Sequence, residues 1–189
     1  MPALTTIEIP LGFIAPDFTL PDTVSGTNKS LQELKGDKAT VLMFICNHCP
    51  FVKHINEELV QLGNDYANKG ISFIAISSND ADKYPDDAPD KMTALAKEVG
   101  YPFPYLYDES QAVAKAYKAV CTPDFSIFDA NLACVYRGQL DGSRPNNGLP
   151  VNGAAIRAAL DAILANATVN PNQQPSIGCS IKWKGEAPY

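Results

Sequence analysis

The chain is poor in the residues that several large protein classes depend on. Histidine occurs only at His48 and His54, arginine only at Arg137, Arg144 and Arg157, and basic residues are outnumbered 15 to 21 by acidic ones. With a net charge of −6 and a pI near 4.8, the sequence lacks the basic footprint that displaces counterions from nucleic acid or an anionic membrane. Neither partner is expected. Long hydrophobic runs are also missing. The opening Met1-Pro2-Ala3-Leu4-Thr5-Thr6-Ile7-Glu8 has no basic start and no apolar stretch, so no signal peptide or membrane span is readable and a cytoplasmic location is expected. Five cysteines with one close pair do not describe the framework of a small disulfide-stapled domain. No internal repeat or low-complexity tract is present. A length of 189 residues with 46% hydrophobic composition predicts one domain, 1–189, that buries its own core.

What is present is Cys46-Asn47-His48-Cys49-Pro50 at the junction of two periodic segments. Upstream, Thr40-Val41-Leu42-Met43-Phe44-Ile45 reads as a buried strand. Downstream, Phe51, Ile55, Leu59, Leu62 and Tyr66 recur every three or four residues and predict a helix over 50–69, closed by Lys69-Gly70. Cys46 is expected at an exposed helix start. Unpaired N–H groups there favour an anion, so its thiol should ionise more readily than a free one of pKa about 8.5. Such a C-x-x-C beside a strand and helix is the redox context. Zinc is the competing reading, because Cys46, Cys49 and His54 have the spacing of a knuckle's first three ligands. Its fourth position is Leu59 and His48 lies between the two thiols, so no metal and no other cofactor is expected.

The remaining periodicities predict strands at 71–77, 125–129 and 132–137 and helices at 90–99, 110–120 and 153–165. Alternating strands and helices make an α/β fold, with the second strand parallel to the first and an antiparallel hairpin across Asp129-Ala130-Asn131-Leu132. A polar hairpin-like segment precedes it. Residues 166–189, with three prolines and no period, read as an extended tail on the surface. The acidic run Asp80-Ala81-Asp82-Lys83-Tyr84-Pro85-Asp86-Asp87-Ala88-Pro89-Asp90 does not match a calcium loop and reads as a solvated loop with Asp90 capping the next helix.

These residues resemble a known superfamily. The strand, the C-x-x-C opening a helix and the later Thr122-Pro123-Asp124-Phe125 look like the thioredoxin fold, a central mixed sheet flanked by helices. The opening Ala15-Pro16-Asp17-Phe18-Thr19-Leu20-Pro21-Asp22 and the segment Ser30-Leu31-Gln32-Glu33-Leu34-Lys35-Gly36-Asp37-Lys38 look like its redoxin branch, the alkyl hydroperoxide reductase and thiol-specific antioxidant proteins. The likeness runs over a core of about 10–165, with the opening hairpin as an N-terminal extension. Cys-Asn-His-Cys-Pro-Phe-Val-Lys followed by Pro175-Ser176-Ile177-Gly178-Cys179 resembles a bacterial thioredoxin-like subgroup.

The resemblance implies two chemistries. Peroxidases of the branch carry P-x-x-x-T-x-x-C at their reactive cysteine; aligned on Cys46, those positions hold Ala39 and Met43, and their thiolate-stabilising arginine is hard to place. Disulfide exchange fits better: Cys46 attacks a partner disulfide, Cys49 resolves the mixed disulfide, and His48, as in the Cys-Gly-His-Cys site of protein disulfide isomerase, favours the thiolate. A potential of about −270 to −180 mV follows. The family's loop proline maps to Pro123, preceded by a cis bond, with the Thr122 backbone pairing an extended substrate. Expected partners are protein or small-molecule disulfides and thiols, with an unidentified reductant. Thiol peroxidase and non-catalytic metal module are the alternatives. Cys121, beside the loop, and Cys179, in the tail with Ile177, Ile181 and Trp183 to dock it, are possible additional redox thiols, Cys179 bonding to Cys46 or Cys121. Cys134 reads as core. Thr40 stands where thioredoxin has its buried aspartate, so the proton acceptor for Cys49 is unassigned, with His54, Glu57 and solvent as options.

Overall fold

A computed structural model describes residues 3–189. Strand β1 is Ala3–Thr5, and β2 (Thr19–Pro21) and β3 (Asn28–Ser30) form the opening hairpin. Helix α1 (Leu31–Leu34) follows, started by Ser30 and Glu33 in a capping box. The first central strand, β4 (Ala39–Phe44), is buried along its whole length. Helix α2 (Pro50–Tyr66) returns the chain to β5 (Ile71–Ser77), parallel to β4. Proline suits the first helical position because its missing N–H would be unpaired there anyway.

A 3-10 turn over Pro85–Asp87 leads to α3 (Pro89–Val99) and then β6 (Tyr105–Tyr107), parallel to β5. Helix α4 (Ala112–Ala116), β7 (Cys121–Thr122), β8 (Asp124–Asp129), β9 (Cys134–Gly138), α5 (Ala154–Leu164) and β10 (Ile177–Ser180) complete the chain. The central sheet has the order β6-β5-β4-β8-β9, with β8 antiparallel to both neighbours. Helices flank this mixed sheet, the expected α/β architecture.

Both faces of the sheet are covered. Val41 and Met43 pack with α2, α3 and α5, whereas Leu42 and Phe44 pack with the opening segment and Tyr117. Period-two alternation along one apolar strand therefore feeds two cores. The α2 stripe of Val52, Ile55, Leu59, Leu62 and Tyr66 covers one of them. At about 25 cal/mol per Å2 of apolar surface, burial of this kind is the main stabilising term of the fold.

Three expectations are corrected. The helix read over 110–120 spans only Ala112–Ala116, because Lys118 takes a left-handed backbone (φ 52°) and the chain turns into β7. The acidic run is not a solvated loop. Asp80 and Asp87 are buried, and α3 begins after Ala88 with no side-chain cap, leaving Asp90 exposed. The tail does not merely lie on the surface: β10 is the middle strand of a three-stranded sheet, order β1-β10-β7. Its burial is real, since Ser176, Ile181 and Lys182 are almost fully enclosed.

Candidate active site

Strand β4 delivers Cys46 two residues past its end, and Cys49 is the N-cap of α2, where its carbonyl accepts from Val52 and Lys53 N–H at 3.0 Å each. The chain needs only Asn47 and His48 to turn between them. Across from the turn stands Thr122, joined to Pro123 by a cis peptide bond. Cys46 Sγ lies 3.3 Å from Thr122 Oγ1, and Cys49 Sγ donates to the Thr122 carbonyl at 3.2 Å. The structure thus brings Cys46, Cys49, His48, Thr122 and Pro123 together.

The turn is held by a residue that sequence reasoning missed. Asp87 accepts from Asn47 N–H at 2.8 Å, His48 N–H at 3.3 Å, Asn79 Nδ2 at 2.7 Å and His48 Nδ1 at 2.6 Å. Four donors converge on one buried carboxylate. Burial opposes its ionisation, yet the hydrogen bonds from His48 and Asn79 prevail and hold its pKa below the usual carboxylate value. Asn47 is fixed further by Tyr105, whose hydroxyl donates to its Oδ1 at 3.0 Å. The His48 ring stacks on Tyr84, centroids 5.6 Å apart and planes 12° off parallel. No spacing in the acidic run singles out Asp87; it is 38 residues from Cys49 in sequence and becomes a neighbour only when the 3-10 turn folds over the thiols.

Two expectations for Cys46 are reversed, its exposure and its readier ionisation. Cys46 is not exposed: the two thiols are 1% and 0% accessible, and the helix N-terminus belongs to Cys49. Its hydrogen bond to Cys49, its burial and the Asp87 charge all push Cys46 up, so this thiol keeps the proton. Cys49 accepts that bond and others from the Cys179 side chain and backbone and from Thr122; against the burial penalty they draw it down to about 4.

The other expected residues fall as follows. Cys179 stands opposite Thr122 in the β10/β7 ladder, and the thiol whose electrostatics it shares is Cys49. Cys121 is buried, 4.0 Å from Thr6 Oγ1 and 3.9 Å from the Pro123 carbonyl, and burial raises its pKa. Cys134 is core, as expected, and burial pushes it up to about 11. Cys46, Cys49 and His54 do not assemble as a metal site. Among the described residues the group with ligand spacing is Cys46, His48 and Asp87, whose ligand atoms lie within 4.8 Å of one another. The carboxylate beside the thiols is thus Asp87, not Glu57. Each arginine is engaged elsewhere: Arg137 with Asp124 at 3.0 Å, Arg157 with Glu58 at 2.8 Å, and Arg144 with the Ser143 carbonyl at 2.6 Å.

A family profile, described as AhpC/TSA, matches residues 11–137. The chain belongs to the AhpC/TSA family. This span holds the thiol pair, Asp87 and the proline loop, and ends before the tail. Among solved structures, an uncharacterized conserved protein of Geobacillus kaustophilus is 62% identical over 99% of both chains, with a TM-score of 0.97. A hypothetical protein of Sinorhizobium meliloti is 47% identical, with 96% of this chain and 99% of that one covered and a TM-score of 0.94. The thioredoxin domain of a thiol-disulfide oxidoreductase from Bacteroides vulgatus shares the fold at 18% identity, TM-score 0.60, over 79% of this chain and 98% of that one. A comparison with curated proteins gives no match. The thioredoxin-like, redoxin character of the chain is thereby established.

Proposed function

We propose that this redox protein is a thiol-disulfide oxidoreductase acting through Cys46 and Cys49. The observation that carries the reading is geometric: both sulfurs of the C-x-x-C pair contact Thr122, the residue joined to Pro123 by a cis bond, at 3.3 and 3.2 Å. In the proposed cycle Cys46 meets the partner, because it lies beside His48, whose side chain is 24% exposed. Its proton passes to the His48–Asp87 dyad as its sulfur attacks the partner disulfide; one partner thiolate leaves and a mixed disulfide forms. The Cys49 thiolate then attacks Cys46 Sγ. The Cys46–Cys49 bond closes and the second partner thiol departs reduced. Two electrons move from the pair to the partner, and a dithiol reductant restores the pair. The proposed partners are protein or small-molecule disulfides, and no cofactor enters the cycle.

Peroxide reduction by Cys46 is the second reading, favoured by the family match. The arginine positions favour exchange, since none of the three is paired to a thiol. Trapping separates the readings. A Cys49→Ser variant should accumulate mixed disulfides at Cys46 with a model disulfide such as oxidised glutathione. Rapid stoichiometric oxidation of the wild-type protein by hydrogen peroxide, with no mixed disulfide in the variant, would favour the peroxidase.

A further inference from the structure

In the exchange reading a partner segment would pair with the Thr122 backbone, but in this structure that edge is filled by the chain's own tail. Strand β10 runs antiparallel to β7, with Cys179 opposite Thr122 and Ser180 opposite Cys121. Its approach is closer than any side chain at position 178 permits: a Cβ on Gly178 would stand 1.9 Å from the Thr122 carbonyl oxygen and 3.0 Å from Pro123 Cδ. The strand is pinned at both ends. Ser176 Oγ donates to the Pro123 carbonyl at 2.7 Å on one side. On the other, Ile181 N–H donates to Val120 at 2.9 Å, and the Lys182 carbonyl accepts from Asp80 N–H and Gln111 Nε2, both at 2.8 Å.

This docking sets a third sulfur at the thiol site. Thr122 accepts from Cys49 at 3.2 Å on one side and faces Cys179 across the ladder on the other. Cys179 also packs against the core cluster that contains Cys46 and Cys49. Accessibility differs in a useful way. Cys46 and Cys49 are buried, whereas Cys179 is the one cysteine of the five that keeps partial access to solvent.

We infer that Cys179 is a third exchange thiol that carries the disulfide of the buried pair outward to the surface. The step rests on the exchange reading, which supplies the closed Cys46–Cys49 bond. Cys179 Sγ attacks Cys49 Sγ; the Cys49–Cys179 bond forms as the Cys46–Cys49 bond breaks. Cys46 departs as the thiolate and takes up the proton that Cys179 gives up. One disulfide and one thiol stand on each side of the step, so no oxidant or reductant is consumed. A thiol compound from solvent can then attack the accessible Cys179 sulfur, releasing Cys49 as a thiolate.

The reduced state restrains the step. Burial first, and then the hydrogen bond and charge of Cys49, push the Cys179 thiol up to about 12 while the pair is open. Closing the Cys46–Cys49 bond takes away the Cys49 thiol's own effect on Cys179 and leaves burial as the main cause that keeps it protonated.

The experiment is disulfide mapping of full-length wild-type protein equilibrated with glutathione redox buffers, acid-quenched, blocked and digested without reduction, with fragmentation placing each bond. Two species are expected, Cys46–Cys49 and Cys49–Cys179. A Cys46→Ala variant should convert to Cys49–Cys179 alone under oxidised glutathione, with alkylation of Cys179 slowed at least tenfold. Should that variant fail to fold, the wild-type map decides. Full closure of Cys46–Cys49 with Cys179 still free overturns the third thiol and leaves the exchange reading standing. Failure of both bonds to form overturns both.

Discussion

Asp87 Oδ2 and His48 Nδ1 lie 2.6 Å apart, and the same carboxylate anchors the backbone N–H groups of Asn47 and His48. One buried acid therefore shapes the turn between the two thiols and aims the imidazole beside Cys46.

Replacing this acid should loosen the turn. Asp87→Asn leaves buried donors with fewer acceptors, a cost of about 1–3 kcal/mol at neutral pH. The folded pKa of Asp87 lies below its ordinary 3.8, so its contribution is present above that value and lost as pH falls through the folded pKa. Urea unfolding at pH 7 and at pH 3 should show the wild-type advantage shrinking at the lower pH. An equal gap at both would mean that the carboxylate charge is not what holds the turn.

Thiolate absorbance near 240 nm reports where the charge rests. One thiolate should persist in the reduced protein well below neutral pH and disappear in Cys49→Ala. In Cys46→Ala the remaining thiolate should titrate at higher pH, because its strongest donor is gone. Persistence of the low-pH thiolate in Cys49→Ala would return the charge to Cys46.

Gly178→Ala should prise β10 from the proline loop. The added methyl meets backbone, at 1.9 Å from the Thr122 oxygen, and backbone yields less readily than a flexible side chain. A loss of about 1–3 kcal/mol in denaturant unfolding is expected from the overpacking, together with faster alkylation of Cys179. Unchanged stability and labelling would show that the strand sits more loosely than the ladder indicates.

Behind the other face of the sheet, Arg137 and Asp124 form an enclosed pair at 3.0 Å. Burial raises Asp124 to about 6 despite the arginine. Removing the cation by Arg137→Leu should cost about 3–5 kcal/mol. A raised carboxylate pKa means stability declines as pH rises from the unfolded value through the folded one, so the variant should recover part of the loss near pH 5. Thermal melts across pH 5–8 check both parts.

The thiol pair, the strand and helix around it, and the proline loop were legible because each is carried by neighbours in sequence. Val41, Leu42, Met43 and Phe44 announce a buried strand, and Cys46 and Cys49 share one turn. The missing parts depend on distant pairing. Tyr105–Tyr107 and Ile177–Ser180 are too short to show a period and become strands only against β5 and β7. Asp87 sits among Asp80, Asp82, Asp86 and Asp90, and nothing local separates the buried acid from the solvated ones. The burial of Cys46 is illegible for the same reason: the 3-10 turn that brings Asp87 beside it lies far along the chain.

The central claim is that Cys46 and Cys49 cycle between dithiol and disulfide by exchange. Equilibrating the protein in a series of glutathione redox buffers and quantifying the acid-quenched Cys46–Cys49 disulfide by mass measures this directly. A single two-electron transition at about −270 to −180 mV is expected. A pair that stays dithiol in the most oxidising buffer, and changes only when hydrogen peroxide is added, would contradict the account.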